Sequence, residues 1–308
     1  MNFNYNQIFK IKIFISLNLL YLIILIKKPI KIALCTMGKQ ENLYVKEFIY
    51  YYKKLGVDTI FIYDDNDYKI EKFSDVINPL NLKYVKILNN TKYNIIHSQT
   101  KAFTSCYNNN KNKYDWFLMV DLDEFLIIKN NNLKNYLSKD IFKKCDFISF
   151  NWVIPTDNNL LHYDNRSLFI RFPGPFNLNR FVKTIIRGNI NNLTYSVHSP
   201  LYSPIKNITC NSVGDKIYYK KLNYETLLPI NIDNAYIMHF KYKSTEEYIN
   251  KYKKGYYNLT GINLKKVLDA KILEYIRDNN ITKEKKEYLE KELNINITKY
   301  KNNLFYLY

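Results

Sequence analysis

Tyr114-Asp115-Trp116-Phe117-Leu118-Met119-Val120-Asp121-Leu122-Asp123-Glu124-Phe125 is the stretch whose reading decides the fold. Its apolar run, Trp116 to Val120, stops abruptly at acid-x-acid-acid. A short continuous apolar run bounded by polar residues reads as a strand buried on both faces. Open α/β sheets bind ligands at the carboxyl ends of such strands. If the backbone stays extended past Val120, side chains two apart point the same way, and Asp121 and Asp123 are expected to converge. Two hard oxygen donors on one side suit Mg²⁺ or Mn²⁺ carrying a phosphorylated substrate. Asp-x-Asp alone recurs by chance in chains of this length. The buried strand before it and Glu124-Phe125 after it give it weight.

Upstream of that strand, Ile30 to Thr36 reads as a first buried strand and Gln40 to Leu55 as a helix. Val45, Phe48, Ile49, Tyr52 and Leu55 share one helical face, and Gly56 stands where a helix stops. Val57 to Tyr63 and Tyr84 to Leu88 are two more strands, and a helix covers about Ser98 to Tyr107. This alternation predicts an α/β fold with a mostly parallel sheet flanked by helices. Downstream the pattern turns mixed. Strands are expected over Asp146 to Ile154, Ser167 to Phe172, Phe181 to Ile186 and Ala235 to Phe240, with prolines between them. Ser244 with Glu247 three residues on forms a capping box that opens a helix ending near Gly255. Two charged helices, Leu264–Arg277 and Lys283–Leu293, read as peripheral. The expected organisation is an N-terminal hydrophobic segment (1–28), a catalytic domain (29–257) and a C-terminal helical extension (258–308).

Composition narrows the function classes. The chain has 308 residues, is 47% hydrophobic and carries a formal charge of +18. The lysines are scattered, and the abundance of Asn, Lys, Ile and Tyr follows AT-rich codons, so the basicity is not read as a nucleic-acid footprint. A positive field helps collect an anionic substrate. The four cysteines stand far apart without a C-x-x-C and are read as buried thiols rather than a zinc site or a disulfide framework. Ile13 to Ile26 is apolar apart from Ser16 and Asn18, is flanked by lysines, and is short for a standard spanning helix. It reads as an uncleaved membrane-associating segment, a single-pass candidate, on a chain otherwise expected in the cytoplasm.

The residues between Lys31 and Gly255 resemble glycosyltransferases of the GT-A fold, specifically the family 92-like branch related to family 2. Trp116 to Leu126 is similar to that family's Trp…Asp-x-Asp-Glu-Phe-Leu core. Phe48 to Gly56, Val57-Asp58 and Tyr63-Asp64-Asp65 follow its second-strand stretch, and Gln99 and Cys106 its Gln and Cys ahead of the metal strand. His239-Phe240-x-x-Lys243-Ser244-x-Glu246-Glu247 resembles its late His-Tyr…Lys-Ser-x-Glu-Glu segment. The segment Asn151 to Asp157 departs from the family pattern by lacking glycines after Trp152, which leaves the acceptor open.

The resemblance implies transfer of a sugar from a nucleotide-sugar, expected to be UDP-linked, to a hydroxyl of a glycan, glycoprotein or glycolipid, with inversion and with Mn²⁺ or Mg²⁺. Asp123 is then the direct metal ligand. Asp121 shares the ion or orients the ribose, and His239 is a third ligand or a diphosphate contact. Glu41, Asp64, Asp65, Gln99, Lys101 and Lys243 are donor-binding candidates. Trp152 and His198 belong to the acceptor side. An inverting transfer needs a carboxylate base, for which Glu124, Asp157 and Asp215 are candidates, Asp157 being preferred. Two other readings stay open: a nucleotidyltransferase on a similar sheet, and a membrane-tethered, non-catalytic carbohydrate-binding protein. Cys35 to Asn42 lacks the Gly-rich basic loop of the first. The chain has no G-x-S-x-G, H-E-x-x-H or G-x-x-x-x-G-K-[ST], which argues against hydrolase and P-loop readings.

Overall fold

In the computed structural model, β1 (Ile32–Gly38) begins with five fully buried residues, as a central parallel strand requires. The structure describes residues 29–300 apart from 68, 90–97, 131, 192, 203–206, 219–228, 254–260 and 299. The expected membrane-associating segment 13–26 lies outside the described residues. Helix α1 (Asn42–Leu55) follows and buries the apolar face read from the sequence, with Tyr44 added. Gly56 ends it at φ 110°, a left-handed conformation that costs glycine little. β2 (Thr59–Asp64), α2 (Phe73–Ile77), β3 (Val85–Asn89), α3 (Ser98–Asn110) and β4 (Trp116–Met119) complete the first half.

The second half holds β5 (Glu124–Ile128), α4 (Leu133–Leu137), β6 (Phe147–Pro155), α5 (Leu168–Arg171) and β7 (Phe176–Arg187). After these come β8 (Thr194–Tyr195), β9 (Pro200–Tyr202), β10 (Thr209–Cys210) and β11 (Ala235–His239). Helices α6 (Thr245–Lys253), α7 (Gly261–Asp278) and α8 (Lys283–Leu293) close the chain. The main sheet runs β3-β2-β1-β4-β7-β6-β11-β5, with β10 beside β6. β1 pairs in parallel with β2 and β4, and β2 with β3. β7 is antiparallel to both β4 and β6, and β11 is parallel to β6 but antiparallel to β5. The α/β class and the mixed, mostly parallel sheet flanked by helices are as expected, and they are consistent with a GT-A-like fold.

Three expectations are corrected. Ser167–Phe172 is not a strand, because α5 carries Arg171, whose guanidinium is fully buried. It ion-pairs with Glu247 and donates to the Tyr44 hydroxyl (3.1 Å). The cysteines are not thiols. Cys35 bonds Cys106, tying β1 to α3, and Cys145 bonds Cys210, tying the start of β6 to β10. Spacings of 71 and 65 residues give no local signal, so only the fold brings the partners together. The C-terminal helices are not peripheral. From Lys31 on, the chain forms one compact unit. Ile272, Tyr275 and Leu289 are buried, and Tyr275 stacks on Tyr248 of α6 at 4.1 Å.

Candidate active site

The chain does not stay extended past β4. A turn closes between the Asp121 carbonyl and the Glu124 N–H (3.1 Å). Leu122, 1% exposed, plugs into the sheet against Gly38. A Cβ at Gly38 would lie 2.2 Å from Leu122 Cδ1, so this close approach needs glycine. The extended backbone expected here is corrected to a turn, and the two aspartates take different partners. Asp121 accepts from Gln99 Nε2 and pairs with Lys183 Nζ (2.9 Å). Asp123 pairs with Lys251 Nζ (2.9 Å), and His239 Nε2 lies 3.6 Å from its other oxygen.

Both aspartates nonetheless line one cavity of about 300 Å³. Trp152, Phe181, His198 and His239 form its aromatic side, and Tyr248, Lys251, Lys271 and Glu274 come from α6 and α7. The Trp152 ring lies 4.4 Å from His239 and 5.2 Å from His198, both edge-on. This is an apolar wall with polar groups at fixed points, the usual make-up of a small-molecule site. β11 delivers His239 because its register sets His239 opposite Glu124 and Met238 beside Val153.

The charges here are set by burial and neighbours. Burial pushes the Asp123 pKa up, but Lys251, His239 and Lys243 outweigh it and hold the carboxyl well below its ordinary value. Glu124, fully buried, goes the other way. Burial raises its pKa and exceeds the pull of Lys183, with Asp121 and Asp123 adding to the rise. Burial lowers His239, against the opposing pull of Asp123. Burial and Lys183 lower His198 to about 4. Both imidazoles are therefore neutral near pH 7.

Residues 28–294 match the family described as "Glycosyltransferase family 92". The chain belongs to glycosyltransferase family 92. A family 92 protein of Oryza sativa subsp. japonica is 29% identical over 125 residues, 37% of this chain and 20% of that protein. One from Ricinus communis is 27% identical over 106 residues, 32% of this chain and 17% of the other. One from Arabidopsis thaliana is 27% identical over 120 residues, covering 37% and 19%. The matched stretches thus span about a fifth of each relative's length.

Against the family 92 site expected from the sequence, the structure gathers Asp121, Asp123, Trp152, His198 and His239 around the cavity and places Gln99 behind Asp121. The other candidates fall elsewhere. Asp64 is 3% exposed and its oxygens accept from the Asn66 and Phe73 N–H groups, so it serves its own turn. Asp65, next along, gives its N–H to the Gly38 carbonyl. Lys101 is exposed on α3. Glu41 and Lys243 pair with each other at 2.6 Å and line a neighbouring groove instead.

All three candidate bases are corrected. The Glu124 side chain has no exposure, and it accepts from the Asp121 N–H at 2.8 Å. Asp157 is 1% exposed, paired with Lys285 Nζ (2.7 Å) and bonded by the Tyr275 hydroxyl (2.5 Å). Asp215 is bonded to Asn211 in the loop after β10. Sequence reasoning missed Lys183, Lys241, Lys251, Lys271 and Glu274. Lys183 alone had a signal: a lysine inside the apolar run of β7 must be paired if it is buried. Lys271 and Glu274 sit on a helix read as peripheral, Lys251 on the capped helix α6, and Lys241 in the segment between β11 and α6. Among the described residues no helix is long and apolar enough to cross a membrane.

Proposed function

We propose that this chain moves a sugar from a nucleotide-sugar, UDP-linked, to a hydroxyl of a glycan, glycoprotein or glycolipid, with inversion and with Mn²⁺ or Mg²⁺. The observation that carries the reading is the approach of His239 to Asp123 (Nε2 to Oδ1 3.6 Å) at the mouth of the Asp-x-Asp turn, inside a family 92 chain. Among the described residues no three His, Cys, Asp or Glu side chains form a ready cation cage. The donor set fits a cation shared with substrate, because one ionised carboxylate and one neutral imidazole leave room for phosphate oxygens. Asp123 and His239 would hold it, with Asp121 lining the same cavity. When bound, the cation acts as a Lewis acid on the leaving diphosphate.

The protein's own groups do the rest. Gln99 and Lys183 fix the Asp121 carboxylate from two directions. The ammonium groups of Lys241 and Lys251 line the same cavity and supply positive charge for the diphosphate. The face of Trp152 gives a sugar ring an apolar floor. The pairing of all four cysteines supports folding in an oxidising compartment, and the apolar stretch 13–26 supports membrane association. The reading is tested by incubating purified protein with Mn²⁺ and a panel of nucleotide-sugars and following nucleotide release. Release from one donor supports it. Release from none removes it.

A further inference from the structure

The site described above lacks a base. Each carboxylate proposed for that task from the sequence is buried or lies outside the cavity. Three carboxylates line the cavity among the described residues: Asp121, Asp123 and Glu274. Asp121 is held by Gln99 and Lys183, and Asp123 by Lys251 and His239. Glu274 is paired too, with Lys241 and Lys271, but it is the one of the three that lies outside the Asp-x-Asp turn. It stands on α7, its side chain is 23% exposed, and it faces the cavity from the wall that α6 and α7 supply.

We propose that Glu274 is the catalytic base that takes the proton from the acceptor hydroxyl, a role that rests on the glycosyl-transfer reading above. The acceptor oxygen forms its bond to the anomeric carbon as the bond from that carbon to the phosphate oxygen breaks. The electron pair of the broken bond leaves with the nucleoside diphosphate. The acceptor proton passes to a Glu274 oxygen, and no other reactant is needed.

Two features suit it to the role. The first is position. The residue after Glu274 is Tyr275, whose hydroxyl donates to buried Asp157 (2.5 Å) and contacts the Thr245 hydroxyl (3.1 Å). Asp278, one turn on, accepts from the Tyr242 hydroxyl (2.5 Å). These bonds pin α7, immediately after Glu274, to the segments that follow β6 and β11, and pre-set its reach. Asp157, the base expected from the sequence, becomes the anchor that positions the helix carrying this one. The second feature is charge. Lys241 ion-pairs with one Glu274 oxygen, and Lys271 Nζ lies 3.4 Å from the other. Burial favours the neutral acid, but the two ammonium groups outweigh it and keep the carboxyl below its ordinary pKa, hence ionised and able to accept. Such a carboxylate is a weak base, which suffices because the hydroxyl proton becomes acidic as its oxygen bonds to a cationic carbon.

The test is Glu274→Gln in the full chain, measured with the donor that the wild type turns over. The variant should bind that donor as tightly as wild type by calorimetry, while transfer falls by the roughly 10²–10⁴-fold expected of a lost general base. Sodium azide, a nucleophile that needs no deprotonation, should restore turnover in the variant and yield the inverted glycosyl azide. Transfer within about threefold of wild type, or a loss that azide leaves untouched, overturns the assignment. If the Gln variant does not fold, Glu274→Asp, which keeps the charge on a shorter arm, carries the same test. A wild-type chain that releases no nucleotide from any donor overturns the parent reading, and this one with it.

Discussion

In the β1–β4 half of the sheet, carboxylates at loop and strand ends are taken up by the backbone beside them. Asp64 accepts from two N–H groups of its own turn, and Asp58 accepts from Ile32 N–H and pairs with Lys134 at the surface. In the β6–β11 half the ion pairs of Lys183, Lys251 and Lys285 each have at least one side chain less than a tenth exposed. Lys183 meets Asp121 and Glu124, Lys251 meets Asp123, and Lys285 meets Asp157. The first arrangement builds turns. The second holds charge against a cavity, and that is the half in which chemistry is proposed.

Removing one ammonium from each kind of pair probes this contrast most strongly. Lys183→Met leaves fully buried Glu124 and part-exposed Asp121 without their cation, and should cost about 3–5 kcal/mol, the usual penalty for breaking a buried pair. Lys134→Met breaks a pair whose side chains are each 34% exposed, and should cost under about 1 kcal/mol. Urea unfolding of both variants checks this, and equal costs would break the comparison. The disulfides should behave alike, since one lies in each half and they close loops of similar length. Cys35→Ala with Cys106→Ala, and Cys145→Ala with Cys210→Ala, should each lose about 2–4 kcal/mol. A reductant should lower the melting temperature of the wild type and leave the four-alanine variant unmoved.

Smaller, and specific to the cavity half, is a pH effect. His198 is faced by Lys183, Asp121, His239 and the Val182 carbonyl, and its pKa falls from 6.5 to about 4 on folding. The unfolded chain therefore binds the extra proton between those values. The stabilisation is complete above about pH 6.5 and is lost as pH falls toward 4. At 1.36 kcal/mol per pH unit the upper limit is about 3 kcal/mol. His198→Gln should flatten the stability profile over that window, and an unchanged profile would put the histidine in solvent. The smallest effect belongs to the C-terminal helices. The Thr282 hydroxyl accepts from Lys285 N–H as N-cap of α8, and Thr282→Ala should cost about 1 kcal/mol. A measurable loss would confirm that α8 is part of the cooperative unit.

Sequence periodicity carried the parallel half almost unaided. Each of its strands is a short apolar run, and α1 shows its buried face and its Gly56 stop in the order of residues. Asp123, His239 and Trp152 were legible because the family motif names them. What stayed hidden depends on long-range closure. The turn after β4 that carries Asp121 and Asp123 is set by Leu122 seating against Gly38, a contact between residues 84 positions apart in the chain. Asp157 looked like a base because it follows a buried strand, and no local pattern announces that Lys285 will neutralise it. Lys271 and Glu274 lie on a charged helix read as peripheral, Lys251 on a capped helix that gave no site signal, and only tertiary packing turns these residues toward the cavity.

The account's central claim, that Asp123 and His239 organise a cation-assisted glycosyl transfer, is tested most directly by one assay: nucleotide release from the accepted donor by wild type and Asp123→Asn, in chelator and then with Mn²⁺ restored. Wild type should be inactive in chelator and recover with Mn²⁺. Asp123→Asn should fold normally and turn over at least about 10²-fold more slowly with the metal present. Full turnover of Asp123→Asn in chelator would contradict the claim.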